Sequence, residues 1–186
     1  MSRNANDGAP VPEGGWLDGE QQRAWLAYIR LQLRLTYEMN RQLQSDSDLS
    51  LPDYDVLTAL SVADGGLMPI TALAAQIGWE RSRASHHVRR MAKRELVSCS
   101  PSANDRRVTE VSLTRHGRKV LEAAALGHVE LVRRLFFDGL PRELVDPLSQ
   151  ALESIYANTV AQGTLPPPVD WHPPKASDRR PAPGST

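Results

Sequence analysis

The sequence predicts a mainly α-helical fold with one small β-hairpin. Six segments carry apolar residues at three-to-four-residue spacing, which is the pattern of amphipathic helices. Two short segments rich in β-branched residues flank a polar turn, which is typical of a hairpin. Aromatic residues make up 5% of the 186 residues, and leucine and alanine dominate the periodic segments, which favours helix over sheet.

Four helices precede the hairpin. A capping box at Ser50 and Asp53, with a proline in the first turn, begins the second helix. Gly78 ends a short third helix, and the fourth follows it directly. The polar segment 45–48 is expected to break the first helix. The predicted ranges are 20–44, 51–63, 70–77 and 80–95.

The hairpin and two further helices follow. The predicted strands cover 96–100 and 108–113, and Thr114 is expected to cap a helix that runs to about residue 137. The last helix, 142–161, is expected to bury six apolar residues. These are Leu144, Val145, Leu148, Leu152, Ile155 and Tyr156. The composition of 1–17 and of the proline-rich stretch 163–186 predicts a disordered arm and a disordered tail.

The charge of the chain is unevenly distributed. Its formal net charge is zero, from 22 basic and 22 acidic side chains, yet residues 81–119 hold 11 basic and 3 acidic ones. One segment is therefore strongly basic, which is the footprint of a nucleic-acid contact. The sequence shows no signal peptide and no apolar run long enough to cross a membrane, so we expect a cytoplasmic protein without a membrane partner.

The third and fourth helices form a candidate helix-turn-helix. Ala84, Val88 and Met91 share one face of the fourth helix and can pack on the preceding helices. The rest of that helix is rich in hydrogen-bond donors that can reach base edges or phosphates in a major groove. A solvated basic face without a partner is the alternative. The predicted DNA-binding residues here are Arg81, Ser82, Arg83, Ser85, His86, Arg89 and Arg90.

The hairpin loop carries a second candidate contact. Arg106 and Arg107 lie at its tip, where an arginine can enter the narrow and electronegative minor groove. Asp105 can hold a neighbouring guanidinium by a charge-assisted pair. The alternative is an ordinary surface turn with a weak ion pair.

These motifs together resemble the MarR family of bacterial transcriptional regulators. The spacing of six residues from Arg107 to Leu113 matches the family's wing, so Arg107 corresponds to its minor-groove arginine and Asp105 to the orienting carboxylate. The resemblance covers about residues 20–162. The segments that carry it are Leu73-Ala74-Ala75-Gln76-Ile77-Gly78, Ser85 to Met91 with Leu96-Val97, Asp105-Arg106-Arg107, and Leu113-Thr114-Arg115-His116-Gly117.

The resemblance implies a winged helix-turn-helix plus a helical dimerisation region. The DNA-binding domain would span 51–113, and 18–50 with 114–162 would form a homodimer that reads a pseudo-palindrome. The long apolar helices at both ends agree, because an exposed stripe of that size is a liability in a monomer. Two positions depart from the family: Glu95 replaces a usual glycine, and Glu80 is a poor helix cap.

Other site classes find less support. We see no catalytic constellation, no metal site and no cofactor motif. Cys99 is expected to be a plain strand residue, with a redox role as the alternative. The resemblance implies a possible small anionic or phenolic effector. Its candidate binding residues are Trp25, Tyr28, Arg34 and Tyr54, for which core packing or a surface role is the alternative.

The sequence therefore predicts a DNA-binding transcriptional regulator that is not an enzyme. Repression of adjacent genes by a homodimer on double-stranded DNA is the expected mode, with activation as an option within the same class. A winged-helix module that binds protein instead of DNA, and an enzyme that degrades the effector, are the alternatives from other classes.

Overall fold

The structure is a computed structural model that describes residues 16–103 and 105–168. Most of the predicted arm and tail therefore lies outside the described residues. The chain divides into two compact units, Met1–Glu38 and Met39–Thr186. The described part contains six α-helices and one three-stranded antiparallel sheet, so the mainly helical fold with a small wing is confirmed.

Helix α1, Gly19–Ser47, is longer than predicted. The predicted end at residue 44 was wrong by three residues, because the helix continues to Ser47. Asp48, which follows the helix, has a left-handed backbone with φ of 52°. The amide of Leu49 then donates to the carbonyl of Leu43 at 3.3 Å, and both leucine side chains are fully buried. Burial of this pair fixes where the chain turns into the second helix.

Helix α2, Leu51–Val62, begins with the predicted capping box. The hydroxyl of Ser50 accepts a hydrogen bond from the amide of Asp53 at 3.2 Å, and the Asp53 carboxylate accepts one from the amide of Ser50 at 2.9 Å. This capping box satisfies amides that the helix itself leaves unpaired. At the other end of α2 a 3₁₀ turn, Asp64–Gly66, follows, with both glycines at positive φ.

The sheet has one strand more than predicted. Strand β1, Leu67–Pro69, pairs with β3, Thr109–Leu113, which also pairs with β2, Val97–Pro101, so that the order is β1-β3-β2. The predicted hairpin is β2 and β3. Three residues ending in a proline give no alternation signal, and Pro69 caps the next helix, so the sequence showed only that helix.

Helices α3, Ile70–Gln76, and α4, Arg81–Lys93, form the predicted helix-turn-helix around Gly78, whose φ is +68°. Glu80, the N-cap residue of α4, makes no side-chain cap hydrogen bond, as the sequence suggested. After α4 the chain passes through Glu95 in a left-handed conformation with φ of 58°. The position at which the family usually has glycine is thus left-handed in this protein, a conformation that costs glutamate more than glycine.

The hydrophobic core joins the helix-turn-helix to its neighbours. It contains Leu43, Leu57, Leu60, Leu73 and Val111, all without exposed surface, and it extends into Leu121 and Ala124 of α5, Arg115–Val132. Thr114 caps α5 as predicted, accepting from the amide of Gly117 at 2.8 Å.

Gly117 marks the closest approach between α5 and the chain before β2. A Cβ added at Gly117 would lie 1.9 Å from the carbonyl oxygen of Leu96, which no real side chain tolerates. The hydroxyl of Thr114 also contacts the carbonyls of Glu95 and Leu96, at 2.6 and 3.0 Å. The end of the helix-turn-helix and the start of α5 are thus joined by direct backbone proximity.

The last two helices differ from the prediction. The helix expected to run to residue 137 is regular to Val132 and ends in a π-helical turn, Arg133–Phe137. A 3₁₀ turn, Arg142–Leu144, precedes α6, Val145–Gln162, in which no residue is buried. The expected burial of its apolar residues within one chain was therefore wrong. Leu152, Ile155 and Tyr156 are 44%, 63% and 57% exposed.

Candidate nucleic-acid interface

Helix α4 has one buried face and a wide exposed one. Ala84, Val88 and Met91 are at most 1% exposed, so the predicted apolar stripe packs into the core. The exposed predicted residues are Arg81, Ser82, Arg83, His86, Arg89 and Arg90. Lys93 is exposed on the same helix as well. The structure therefore exposes most of the predicted donors on the wide solvent-facing side of α4.

Ser85 is the exception among the predicted residues of α4. It is half-buried, and its hydroxyl donates to the carbonyl of Arg81 at 2.8 Å. Because its single proton is used within the helix, Ser85 is left mainly as an acceptor.

Two arginines of α4 are held by neighbouring rings. The guanidinium of Arg83 lies over the indole of Trp79, 4.2 Å from the ring centre, in a cation–π contact. Nη2 of Arg90 lies 2.9 Å from Nδ1 of His87. Trp79 and His87 also meet edge to face at 5.2 Å. These contacts restrict both arginines before any partner binds.

A groove of about 570 Å³ runs beside these side chains. It lies between the end of α1, the start of α2 and α4, and three of its lining residues are arginines. Its lining consists of Asn40, Gln44, Ser50, Pro52, Asp53, Trp79, Arg83, His86, His87, Arg90, Met91 and Arg94.

A cluster of polar and charged side chains surrounds the buried carboxylate of Asp53 and contacts α4 and the residue after it. The carboxylate of Asp53, 5% exposed, contacts Nε2 of His87 at 2.8 Å and accepts from Nη1 of Arg94 at 3.0 Å. Arg94 also donates to the carbonyl of Asp48. Burial raises the pKa of Asp53, but hydrogen bonds from His87 and Ser50 outweigh it and hold that pKa well below the ordinary value. Asp53 is thus a carboxylate at neutral pH.

This cluster is not among the features predicted from the sequence, where Asp53 has only a capping role and His87, Trp79 and Arg94 have none. The available signal was a histidine at 87, on the side of α4 that the apolar stripe occupies. A buried polar side chain there needs a partner, and the capping carboxylate of the preceding helix supplies it.

The wing presents its two arginines to solvent. Arg106 and Arg107 are exposed in the loop between β2 and β3. The carboxylate of Asp105 accepts a hydrogen bond from the backbone amide of Arg107 at 2.9 Å. This local turn contact shapes the loop that carries the arginines, and it uses one of the two carboxylate oxygens of Asp105.

The predicted effector residues belong to both compact units. In the first unit, the rings of Trp25 and Tyr28 are 5.6 Å apart, and Arg34 pairs with Glu38 at 3.2 Å. In the second unit, Tyr54 packs on His128 with ring centres 4.5 Å apart. Burial raises the pKa of Tyr54 and lowers the pKa of His128. Tyr54 has the core role that was weighed as its alternative, whereas Trp25 and Tyr28 are about half exposed.

Cys99 is an exposed residue of strand β2, opposite Val111. Partial burial raises the pKa of its thiol, although Arg89 opposes this shift. A raised pKa lowers the reactive thiolate fraction, which favours the plain strand role.

Within 16–103 and 105–168, no group of three or more His, Cys, Asp or Glu side chains is arranged to hold a metal ion. None of the helices in this part of the chain is both long and apolar enough to span a bilayer.

Comparison with known proteins places the chain in a family. The profile of the MarR family matches residues 49–109, which hold the helix-turn-helix and most of the wing. The transcriptional repressor IacR of Pseudomonas putida is 33% identical over 137 residues, covering 72% of this chain and 77% of IacR.

Two solved structures from Streptomyces coelicolor are similar over most of the chain. AbsC, a MarR family regulator, shares 33% identity with a TM-score of 0.74, covering 79% of this chain and 99% of AbsC. Sco3205, a MarR family regulator solved in complex with DNA, shares 32% identity with a TM-score of 0.76, covering 82% of this chain and 99% of Sco3205. Members of this family are DNA-binding proteins without enzymatic activity, which confirms the predicted class. The chain belongs to the MarR family of winged-helix transcriptional regulators.

Proposed function

We propose that this regulator binds a pseudo-palindromic duplex as a two-fold homodimer and represses adjacent genes. The observation that carries the proposal is the set of exposed donors on α4, together with the two exposed arginines of the wing, on a winged helix whose core is already buried. Residues 51–113 would contact DNA, and 18–50 with 114–162 would hold the two copies together.

Helix α4 would lie in the major groove. Arginine matches guanine because its planar fork meets two acceptors of the base edge at once, and serine and histidine donate singly. The residues assigned to this contact are Arg81, Ser82, Arg83, Ser85, His86, Arg89 and Arg90, with Ser85 as an acceptor because its proton is used within the helix. We add Lys93, which is exposed on the same helix.

The wing would serve the minor groove and its flanking phosphates. Arg106 and Arg107 project from a loop whose turn is shaped by Asp105, and an arginine is favoured where the groove is narrow. Because phosphates dominate affinity, removing one such arginine should reduce the salt dependence of binding.

The apolar surface of the terminal helices supports the dimer. Leu152, Ile155 and Tyr156 of α6 are 44–63% exposed, and Leu33 and Tyr37 of α1 are 68% and 57% exposed. A single chain leaves these side chains in water, and a second copy would cover them. Two helix-turn-helix units would then meet successive major grooves about 34 Å apart.

Repression is supported by IacR, which is named a transcriptional repressor. A bound dimer can block polymerase at a promoter, and release by a small anionic or phenolic compound would make it a switch. Within the first unit, Trp25, Tyr28 and Arg34 supply aromatic and cationic groups for such a compound. Displacement of bound DNA by aromatic carboxylates or phenols, lost in Arg34→Ala, is the expected outcome. A DNA complex that resists the whole panel would remove the ligand from the proposal.

Arg83→Ala tests the base contact. The probes are a duplex recovered by the wild-type protein from a random pool and a shuffled duplex of equal length. We expect a loss of about 1–3 kcal/mol on the recovered duplex and little on the shuffled one, because a base contact carries sequence information. Equal losses on both would reduce Arg83 to a phosphate contact.

Arg107→Ala tests the wing in the same mobility-shift assay at several salt concentrations. Affinity should fall on both duplexes, and the slope of log affinity against log salt should decrease by about 1. Arg142→Ala, which removes an exposed arginine far from the wing in sequence, is the matched control. A wing that does not contact DNA would leave Arg107→Ala indistinguishable from that control.

A further inference from the structure

A continuous chain of contacts connects the cap of α2 with the exposed side of α4. Asp53 Oδ1 lies 2.8 Å from Nε2 of His87, and Nδ1 of the same ring lies 2.9 Å from Nη2 of Arg90. Asp53 and His87 are 5% and 8% exposed, whereas Arg90 is exposed. This series of contacts therefore begins in the protein interior and ends at the surface assigned to DNA.

The chemistry of the three groups fixes the tautomer of His87. A guanidinium donates hydrogen bonds and cannot accept them, so Nδ1 of His87 accepts from Arg90. A neutral imidazole carries its proton on the other nitrogen, so Nε2–H faces the Asp53 carboxylate. Each ring nitrogen thus has a neighbour on its own side, the guanidinium of Arg90 at Nδ1 and the carboxylate of Asp53 close to Nε2.

The carboxylate of Asp53, at the inner end of these contacts, is held in place. Oδ2 of Asp53 accepts from the amide of Ser50 at 2.9 Å and from Arg94 at 3.0 Å, so the carboxylate cannot rotate without breaking both bonds. The indole of Trp79 packs edge to face on the imidazole at 5.2 Å. His87 therefore stands in one orientation, and its accepting nitrogen points where Arg90 reaches it.

We propose that His87 is a positioning residue for DNA binding, which orients the guanidinium of Arg90 toward the duplex through Nδ1. The proposal rests on the assignment of Arg90 to the DNA surface. A long arginine side chain loses rotamer freedom when it binds a phosphate, and a side chain that is already held loses less. One N–H of Arg90 meets His87, and the other donors stay available.

Two amide substitutions separate the two sides of the ring. In His87→Asn the side-chain oxygen lies near the position of Nδ1, so it can accept from Arg90 but leaves Asp53 without its donor. In His87→Gln the side-chain nitrogen lies near the position of Nε2, so it can donate to Asp53 but offers Arg90 nothing. A residue that served the fold alone would make His87→Asn the weaker DNA binder of the two.

The experiment uses full-length protein, the recovered duplex described above, and melting curves for every variant. We expect His87→Gln to melt near the wild type and to bind about tenfold more weakly, as Arg90→Ala does. The double variant should bind no more weakly than Arg90→Ala alone, because the two act on one contact. We expect His87→Asn to melt at a lower temperature and to keep its affinity below that temperature.

The outcomes distinguish the two proposals. Unchanged binding by Arg90→Ala would remove Arg90 from the DNA surface. A weakened Arg90→Ala with a wild-type His87→Gln would overturn the positioning role alone, as would a double variant in which the two losses multiply. If His87→Gln does not fold, His87→Asn decides, since a folded His87→Asn that binds as weakly as Arg90→Ala contradicts the proposal.

Discussion

The winged helix and helix α6 bury their apolar residues to very different degrees. In the winged helix, Leu57, Leu60 and Leu73 have no exposed surface. In α6 no residue is buried, and Ile155 is 63% exposed. The first region completes its core within one chain, whereas the second presents an apolar face that one chain does not cover. Under the proposed function, DNA contact and association would therefore belong to parts of one molecule that are stabilised in different ways.

Leu60→Ala should produce the largest loss of stability. Removing a fully buried leucine loses transfer free energy and leaves a cavity, so we expect a decrease in unfolding free energy of about 3 kcal/mol. Urea denaturation at several protein concentrations measures it. Leu152→Ala, at a leucine that is 44% exposed, is the matched substitution. Its effect should be largest at high protein concentration and shrink on dilution, because only a dimer covers residue 152. Equal, concentration-independent losses at both sites would contradict the comparison.

Ile155→Glu should separate the copies without unfolding them. A charge on the exposed face of α6 opposes burial against a partner, so the variant should sediment as a monomer with an unchanged helical spectrum. Loss of the second half-site should weaken binding to the recovered duplex roughly 100-fold. Gln150→Glu adds the same charge at an exposed polar position of α6 and should stay dimeric. A dimeric Ile155→Glu would contradict the role given to α6.

Asp53→Asn should weaken the winged helix in a pH-dependent way. The buried carboxylate holds His87 and Arg94, so the variant should lose about 2 kcal/mol at pH 7. Because the pKa of Asp53 is lowered on folding, its charge stabilises the fold above the ordinary carboxyl range and ceases to do so as pH falls.

The measurement for Asp53→Asn is urea denaturation from pH 7 to pH 3. The difference between wild type and variant should shrink below about pH 4, where the carboxylates of the unfolded chain gain protons. Asp46→Asn, at an exposed aspartate of α1, should show no comparable trend. A difference that stays constant with pH would mean that the charge of Asp53 contributes nothing.

Glu95→Gly should have the smallest effect, and it should be favourable. Glu95 has φ of 58°, which costs a residue with a side chain more than it costs glycine. We expect a gain of about 0.5–1 kcal/mol in unfolding free energy, measured by thermal denaturation, with unchanged DNA affinity. Lys93→Gly, within helix α4, should instead destabilise.

Much of the fold follows from local signals in the sequence. The capping box at Ser50, the stop at Gly78 and the cap at Thr114 are set by neighbouring residues, and the structure confirms all three. Strand β1 was not predictable in this way, because its three residues form a strand only through pairing with β3. The end of α1 likewise depends on the burial of Leu43 with Leu49.

The candidate site shows the same division between local and distant causes. The exposed donors of α4 follow from helix periodicity and could be named residue by residue. The partners of His87 could not, since Asp53 belongs to another helix and is 34 positions away in the sequence. The contact of Asp105 with a backbone amide was also missed, because charge pairing suggested a guanidinium.

The contact at Gly117 has a mechanical consequence. Gly117 lies against the carbonyl of Leu96, and the hydroxyl of Thr114 contacts the carbonyl of Glu95. The first turn of α5 is therefore packed directly on the residues that follow α4. We expect a tilt of α5 at this turn to move the end of α4 as well. If two copies associate through α5 as proposed, a change in their association would alter the spacing of the two α4 helices.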